Sequence, residues 1–305
     1  MNFAPIVGIG ALRIAQSTIN KKTSKYMAST ATYYQYGFYF ESFAAIFSLI
    51  YFCVIDKTGF GIETLICSAI TGLCFFLELI TSLKALQMAP LPLCTLCSFG
   101  GGIILPAICG IFFFNEPLSI YQWFGVVLFF ISVYFLMEQP KGQVKMAFRA
   151  LLILFFNFVI NGALGVLSKY FAVNIPNGNA ALYSCLSYTC ASVIFLVLVI
   201  FTYKDVKKNL GKERKKVCLF NPFNTFEKPL YLYGVMLGAV CATIVCLSTL
   251  LSRIIPIIIL NVVPTAISII GSLFIGFWFF KEKITIKKVI GIVLSIISTA
   301  VIILL

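Results

Sequence analysis

Three charged side chains, Arg13, Glu41 and Glu78, stand inside long apolar runs. A charge within a membrane is costly and is usually paired or turned toward water. A carboxylate whose ionised form is supported by Arg13 would exchange a proton as a solute binds; a structural ion pair, or chains snorkelling to an interface, would use the same residues. At 1.5 Å rise per residue, Arg13 lies roughly 10 Å, Glu41 roughly 16 Å and Glu78 roughly 12 Å from one membrane face, so the three can meet. Glu41, the deepest, is the better coupling candidate. A second set is polar and small. Ser98-Phe99-Gly100-Gly101-Gly102, with Pro106, is expected to interrupt a fourth helix, and Asn261, Pro264, Thr265 and Ser268 occupy the corresponding stretch of a ninth. Interrupted helices in matching places point to a transport site, although glycine also serves close helix packing. Asn157 and Asn161 on a sixth helix and Gln35 on a second would line a cavity or bond between helices. Tyr33-Tyr34-Gln35-Tyr36-Gly37-Phe38-Tyr39-Phe40 precedes Glu41 as an interfacial belt or the π-rich wall of a cavity.

The elements that hold these residues follow from composition. Hydrophobic residues make up 61% of the chain and charged residues 11%, with a mean hydropathy of +1.03; soluble domains run at roughly 45–50% and about 25%. Apolar runs long enough for ~30 Å of hydrocarbon recur along the whole chain, at 2–20, 30–55, 62–86, 89–114, 119–138, 147–172, 179–203, 229–253, 255–280 and 284–305. They lack the alternation of a barrel strand, which leaves helices. The fold class is an all-α membrane protein of about ten transmembrane helices. The opening Met1-Asn2-Phe3 has no basic n-region, so the first helix is expected to be retained. Of 11 cysteines all but Cys218 fall in apolar runs, where a thiol packs as a small hydrophobe. Cys94 and Cys97 form a CxxC, but with no histidine in the chain a packing role outweighs a metal or redox site. The net charge of +13 sits in short connections, suited to lipid headgroups rather than nucleic acid.

The chain also repeats. Sliding it along itself until Asn115 falls on Lys281 sets Asn115-Glu116-Pro117-Leu118-Ser119-Ile120 on Lys281-Glu282-Lys283-Ile284-Thr285-Ile286, and Gly125, Leu128 and Ser132 on Gly291, Leu294 and Ser298. A somewhat smaller displacement sets Gly10-Ala11-Leu12 on Gly162-Ala163-Leu164. The repeat positions opposite the three charges are then Gly165, Val193 and Ile244. Two five-helix units are expected, 1–140 and 141–305, with a hydrophilic loop over 203–229. Five is odd, so the second unit enters the membrane inverted. Glu116 and Glu282 each precede a helix, where a carboxylate caps free N–H groups and complements the dipole.

An acidic residue between the fourth and fifth helices of each unit, followed by Leu or Ile, Ser or Thr, and a Gly, resembles the drug/metabolite transporter superfamily, specifically ten-helix proteins with two EamA-type domains. The residues are Glu116-Pro117-Leu118-Ser119 with Gly125, and Glu282-Lys283-Ile284-Thr285 with Gly291. A Lys closing the first helix of each unit, Lys21 or Lys22 and then Lys169, adds to the resemblance. It implies amino acids, metabolites, nucleotide sugars or lipophilic cations as solutes, and cytoplasmic termini. With no P-loop or nucleotide-binding module, the expected function is secondary-active, alternating-access transport of a small solute without a cofactor, and a proton or another ion is the candidate coupling partner. A channel or membrane scaffold is the alternative, and a membrane-embedded enzyme a weaker one. The expected location is the plasma membrane. Charge disagrees with resemblance on orientation: nineteen of the 23 Lys and Arg lie in odd-numbered connections and three in even ones, which places the odd connections in the cytoplasm and both termini outside.

Overall fold

A computed structural model of the chain describes residues 4–27, 30–55, 61–89, 91–113, 119–136, 148–175, 177–210, 228–255, 257–279 and 285–304. They form ten α-helices, α1 (Ala4–Ser24), α2 (Thr30–Ile55), α3 (Ile62–Met88), α4 (Leu91–Phe113), α5 (Ile120–Leu136), α6 (Phe148–Asn174), α7 (Ala180–Leu210), α8 (Lys228–Leu251), α9 (Ile257–Trp278) and α10 (Ile286–Leu304), and no strand among the described residues. Seven of the helices are long and apolar enough to cross a membrane, and α5 and α10 contain shorter apolar stretches. The chain is an all-α, multi-pass membrane protein. Large apolar side chains such as Val54, Ile66, Phe155 and Phe201 face outward, as expected where lipid replaces water. α1 misses the apolar threshold because it carries Arg13, Gln16, Asn20, Lys21 and Lys22.

Two expectations about helix limits change. α7 runs on to Leu210, beyond the expected end at 203; its apolar part stops at Thr202, and the Lys and Leu that follow are good helix formers. The rest of the loop, 211–227, lies outside the described residues, as do Glu116 and Glu282. α4 and α9 are continuous helices, with Pro106 and Pro264 inside them, rather than interrupted ones. Unwinding would expose peptide groups to a low-dielectric interior, and Gly101 instead lets α4 lie against the backbone of α6.

The helix pairings come in exchanged couples. α2 packs on α7, α5 on α10 and α4 on α9; α4 on α6 is answered by α9 on α1, α3 on α7 by α8 on α2, and α3 on α6 by α8 on α1. Close contacts follow the same rule. A Cβ on Gly72 would lie 3.2 Å from the Ala191 nitrogen, and one on Gly238 2.9 Å from the Ala44 nitrogen. Gly10 meets Ile267 and Gly271 meets Ile14 where α1 crosses α9; Gly101 meets Phe158 and Gly162 meets Leu105 where α4 crosses α6. Ser298 Oγ donates to the Gly125 carbonyl at 2.6 Å, tying α10 to α5.

Each half also carries a clasp. Lys21 Nζ donates to the carbonyls of Leu86 (3.0 Å) and Ala89 (3.2 Å) at the C-terminus of α3. Lys169 Nζ donates to the carbonyl of Ser252 (3.3 Å), just past the end of α8. Both place an ammonium where terminal carbonyls lack partners and the helix dipole is negative. The next residue in each case reaches back: Gln87 Nε2 donates to the carbonyls of Ser24 (2.9 Å) and Met27 (2.8 Å), and Arg253 to that of Gly178. These contacts pair the first helices of the two halves in a different register from the Gly10/Gly162 match. Lys21 matches Lys169 and Gly101 plays to Phe158 the part that Ile267 plays to Gly10, so the displacement is one helical turn shorter than the Gly10/Gly162 match implies. Arg13 then falls on Asn161 rather than Gly165, and the Gly72–Ala191 and Gly238–Ala44 contacts, which set Ala44 on Ala191, put Glu41 on Tyr188 rather than Val193, itself 52% exposed.

Candidate functional site

A cavity of about 130 Å³ lies among α1, α2, α3, α4, α6, α7, α8 and α9, and no described residue of α5 or α10 lines it. Arg13, Glu41 and Glu78 all border it. The end of α1, the start of α2 and the end of α3 are held together by the Lys21 and Gln87 clasp. From that end, Arg13 is counted back from Ser24, Glu41 forward from Thr30 and Glu78 back from Met88. Each interval is about three helical turns, so at 1.5 Å per residue all three charges stand about 15–17 Å from that end. This is about half the thickness of a ~30 Å hydrocarbon core. They share one depth, where the sequence had placed Arg13 and Glu78 shallower than Glu41.

Among the described residues no ion pair joins Arg13 to Glu41 or Glu78. Arg13 donates to Thr265 Oγ1 at 3.1 Å, and the Thr265 hydroxyl in turn donates to the Asn261 carbonyl at 2.6 Å. Glu41 is fully buried, and neither of its carboxyl oxygens has a hydrogen-bond partner. The Asn20 Oδ1, also at the cavity, is buried and unpaired as well. Such orphans are costly. Glu78 faces the same space, near enough to Glu41 for their charges to interact. Lys169, 5% exposed, lines the cavity beside its clasp.

Of the other expected site residues, Ser98, Gly102, Asn161 and Asn261 line the cavity. Asn157 stands behind it: it accepts from Ser98, and its Nδ2 donates to Thr81 Oγ1 at 3.1 Å, while Asn161 Nδ2 donates to the Asn157 carbonyl at 3.0 Å. Gly101 serves the α4–α6 crossing, and Gly100 is buried without bordering the cavity. Gln35 is buried and also away from it.

The aromatic wall differs from the expected one. Only Phe40 of the run before Glu41 reaches the cavity; Tyr36 is buried in the core and Tyr33 donates to Gln87 Oε1 at 2.5 Å. Phe75 and Tyr188 complete the wall, with ring centroids 4.5 Å apart and planes 9° from parallel, and Phe40 meets Tyr188 edge-on at 6.4 Å. Phe40 is adjacent to Glu41, and Phe75 lies one helical turn before Glu78, so the π-faces and the carboxylates belong to the same part of the cavity. Gln16, Asn20, Ser168, Ser248 and Ser252 were not singled out from sequence. The matched register finds several of them, because Arg13, Asn20 and Lys21 fall on Asn161, Ser168 and Lys169, and all but Lys21 border the cavity.

A mid-depth space of this kind, with carboxylates, aromatic rings, amides and cations around it, can take a small solute bearing hydrogen-bond donors or a positive charge. No family model and no curated protein matches the sequence. A solved structure described as "Crystal structure of protein" has the same overall arrangement, with a TM-score of 0.65 at 15% sequence identity over 100% of this chain and 98% of its own. That likeness is one of fold alone.

Proposed function

We propose that the chain is a secondary transporter of a small solute, working by alternating access as two inverted five-helix repeats in the manner of the drug/metabolite transporter superfamily. The observation that carries this reading is the cavity: eight helices, four from each half, converge at mid-depth on Arg13, Glu41 and Glu78. Charged groups at that depth are expensive unless they serve a pathway, and transporters keep their sites between repeats near the midplane. The exchanged contacts support the repeat, since two halves that pack by the same rules can trade conformations and open the site to either side. Units 1–140 and 141–305 are its halves, joined through the connection between α5 and α6, and the loop within 203–229 belongs to the second.

The solute this site suits best carries an amino or other donor-rich group, which the Glu41 carboxylate and Asn20 Oδ1 would accept and the rings of Phe40, Phe75 and Tyr188 would flank. Amino acids, amine metabolites and drug-like cations meet that description. A proton on Glu41 or Glu78 competes with such a group for the same oxygens, which couples the two. The test is flux in proteoliposomes across a panel of amino acids, polyamines and organic cations, with and without a pH step. Saturable uptake with counterflow is expected. Conduction without counterflow would mark a channel, and no movement of any solute a scaffold.

A further inference from the structure

A second, narrower space of about 30 Å³ lies between α1, α3 and α4. At ~10–15 Å³ per water it takes about two waters and no organic solute. It shares Gln16, Asn20, Glu78 and Ser98 with the central cavity and leads from them to Leu86 and Leu91, at the Lys21 clasp. The central cavity extends instead to Lys169, Ser248 and Ser252, at the other clasp. Glu78 thus stands where a wide space and a water-sized one join.

The lining of the branch is suited to water. Asn20 Oδ1 is buried and accepts from no donor, which a water in the branch would supply. The Ser17 and Thr95 hydroxyls donate within their own helices, to the carbonyls of Ile14 (3.0 Å) and Leu91 (2.9 Å), so their oxygens keep lone pairs for a water. We propose that this branch is a proton path to Glu78, separate from the route of the solute. The inference rests on the transporter reading above. A proton entering at the Leu86 end leaves a water O–H bond and forms the carboxyl O–H of Glu78; on release the carboxyl O–H breaks and the proton returns to water. The charged or titratable groups that face Glu78 across the central cavity are Arg13 from α1, Glu41 from α2, Lys169 from α6, Tyr188 from α7 and Cys241 from α8; α4 adds Cys94 along the branch. A separate path would let the proton arrive from one end while the solute occupies the other.

Two native thiols report on the two spaces, since Cys94 lines the branch and Cys241 the central cavity. In full-length protein reduced to one cysteine or the other and held in proteoliposomes, silver ion should react with both. The trimethylammonium-ethyl methanethiosulfonate should react with Cys241 and at least tenfold more slowly with Cys94. Equal reaction of the bulky reagent at both thiols would make the branch an arm of the solute route, and silver failing at Cys94 would make it dry; either overturns the proposal. A second measurement follows the Glu78 carboxyl by infrared difference after a pH step, the band being defined by its loss in Glu78→Gln. Ser82 borders only the branch, so Ser82→Val should slow protonation about tenfold and Ser82→Ala should leave it fast; an unchanged rate in Ser82→Val refutes the path. Labelling needs no transported solute, so a protein that moves nothing would fail the transporter reading without deciding the branch.

Discussion

Gly101 and Gly102 are neighbours on α4 with opposite surroundings, and a single methyl separates packing from site. A Cβ on Gly101 would run into the Phe158 carbonyl group, 2.6 Å from its carbon, whereas one on Gly102 would meet nothing nearer than the Asn161 carbonyl oxygen at 3.9 Å. Ordinary contact begins near 3.4 Å, so Gly101→Ala forces α4 and α6 apart, and the obstacle is backbone that cannot rotate away. Overpacking of this kind costs about 1–3 kcal/mol. Parting the helices also weakens the Ser98–Asn157 bond, worth about 0.6 kcal/mol between membrane helices. Gly101→Ala should therefore lose about 2–4 kcal/mol on these two terms together, seen as a clear drop in thermal stability by size-exclusion chromatography in detergent. Gly102→Ala should keep wild-type stability, because its methyl enters the cavity, but should weaken uptake of the larger members of the solute panel. Wild-type stability for Gly101→Ala, or unfolding of Gly102→Ala, would refute the account of the α4–α6 crossing.

Glu41→Gln and Glu78→Gln should each abolish pH-driven uptake while leaving counterflow, and pH-driven uptake surviving in both would remove them from coupling. Because Glu41 has no partner to lose, Glu41→Gln should not lower thermal stability. Lys21→Met and Lys169→Met should each cost up to about 2 kcal/mol by uncapping a helix C-terminus, and the two losses should be similar; a large inequality would separate the clasps. A cysteine introduced at Lys212, outside the described residues, should stay unlabelled by an impermeant reagent in intact cells if charge bias sets the orientation. Labelling there would favour cytoplasmic termini.

The sequence shows the three intramembrane charges because nothing else in an apolar run costs so much to bury, and all three reach one cavity. It is less informative where a residue has two ordinary explanations. Asn20 and Lys169 lie within about a turn and a half of a helix end, where a polar side chain is normally an interfacial group, so their place at the site emerges only when the clasps are seen. The glycine run of α4 reads more readily as a cavity or hinge than as a contact; the distance from Gly101 to α6 decides for contact there. The matched packing of the two halves is legible at Ser132/Ser298 and Gly125/Gly291, where polar and small residues share a register. It slips by one turn in the first helices because Gly10 and Gly162 do the same work one turn apart along their crossings, and residues four apart share a helix face. Tyr188 and Phe75 could not be assigned to the site from sequence, since aromatic residues spread over three helices leave no local pattern.

The two halves match in how they pack and differ in what they carry. Gly72 and Gly238, Lys21 and Lys169, and the paired helix crossings recur, whereas Arg13, Glu41 and Glu78 face Asn161, Tyr188 and Ile244. On the transporter reading this division has a physical sense. Exchange between outward- and inward-open states is easiest when the two packings are nearly equal in energy, which matched crossings provide. Recognition needs the reverse, because a solute with a donor-rich end must find its acceptors on one side of the cavity and not on both. With both carboxylates on α2 and α3, binding of such a group concentrates on the first half. The second half brings Lys169 but no acidic group to the cavity, so its helices move around carboxylates they do not share.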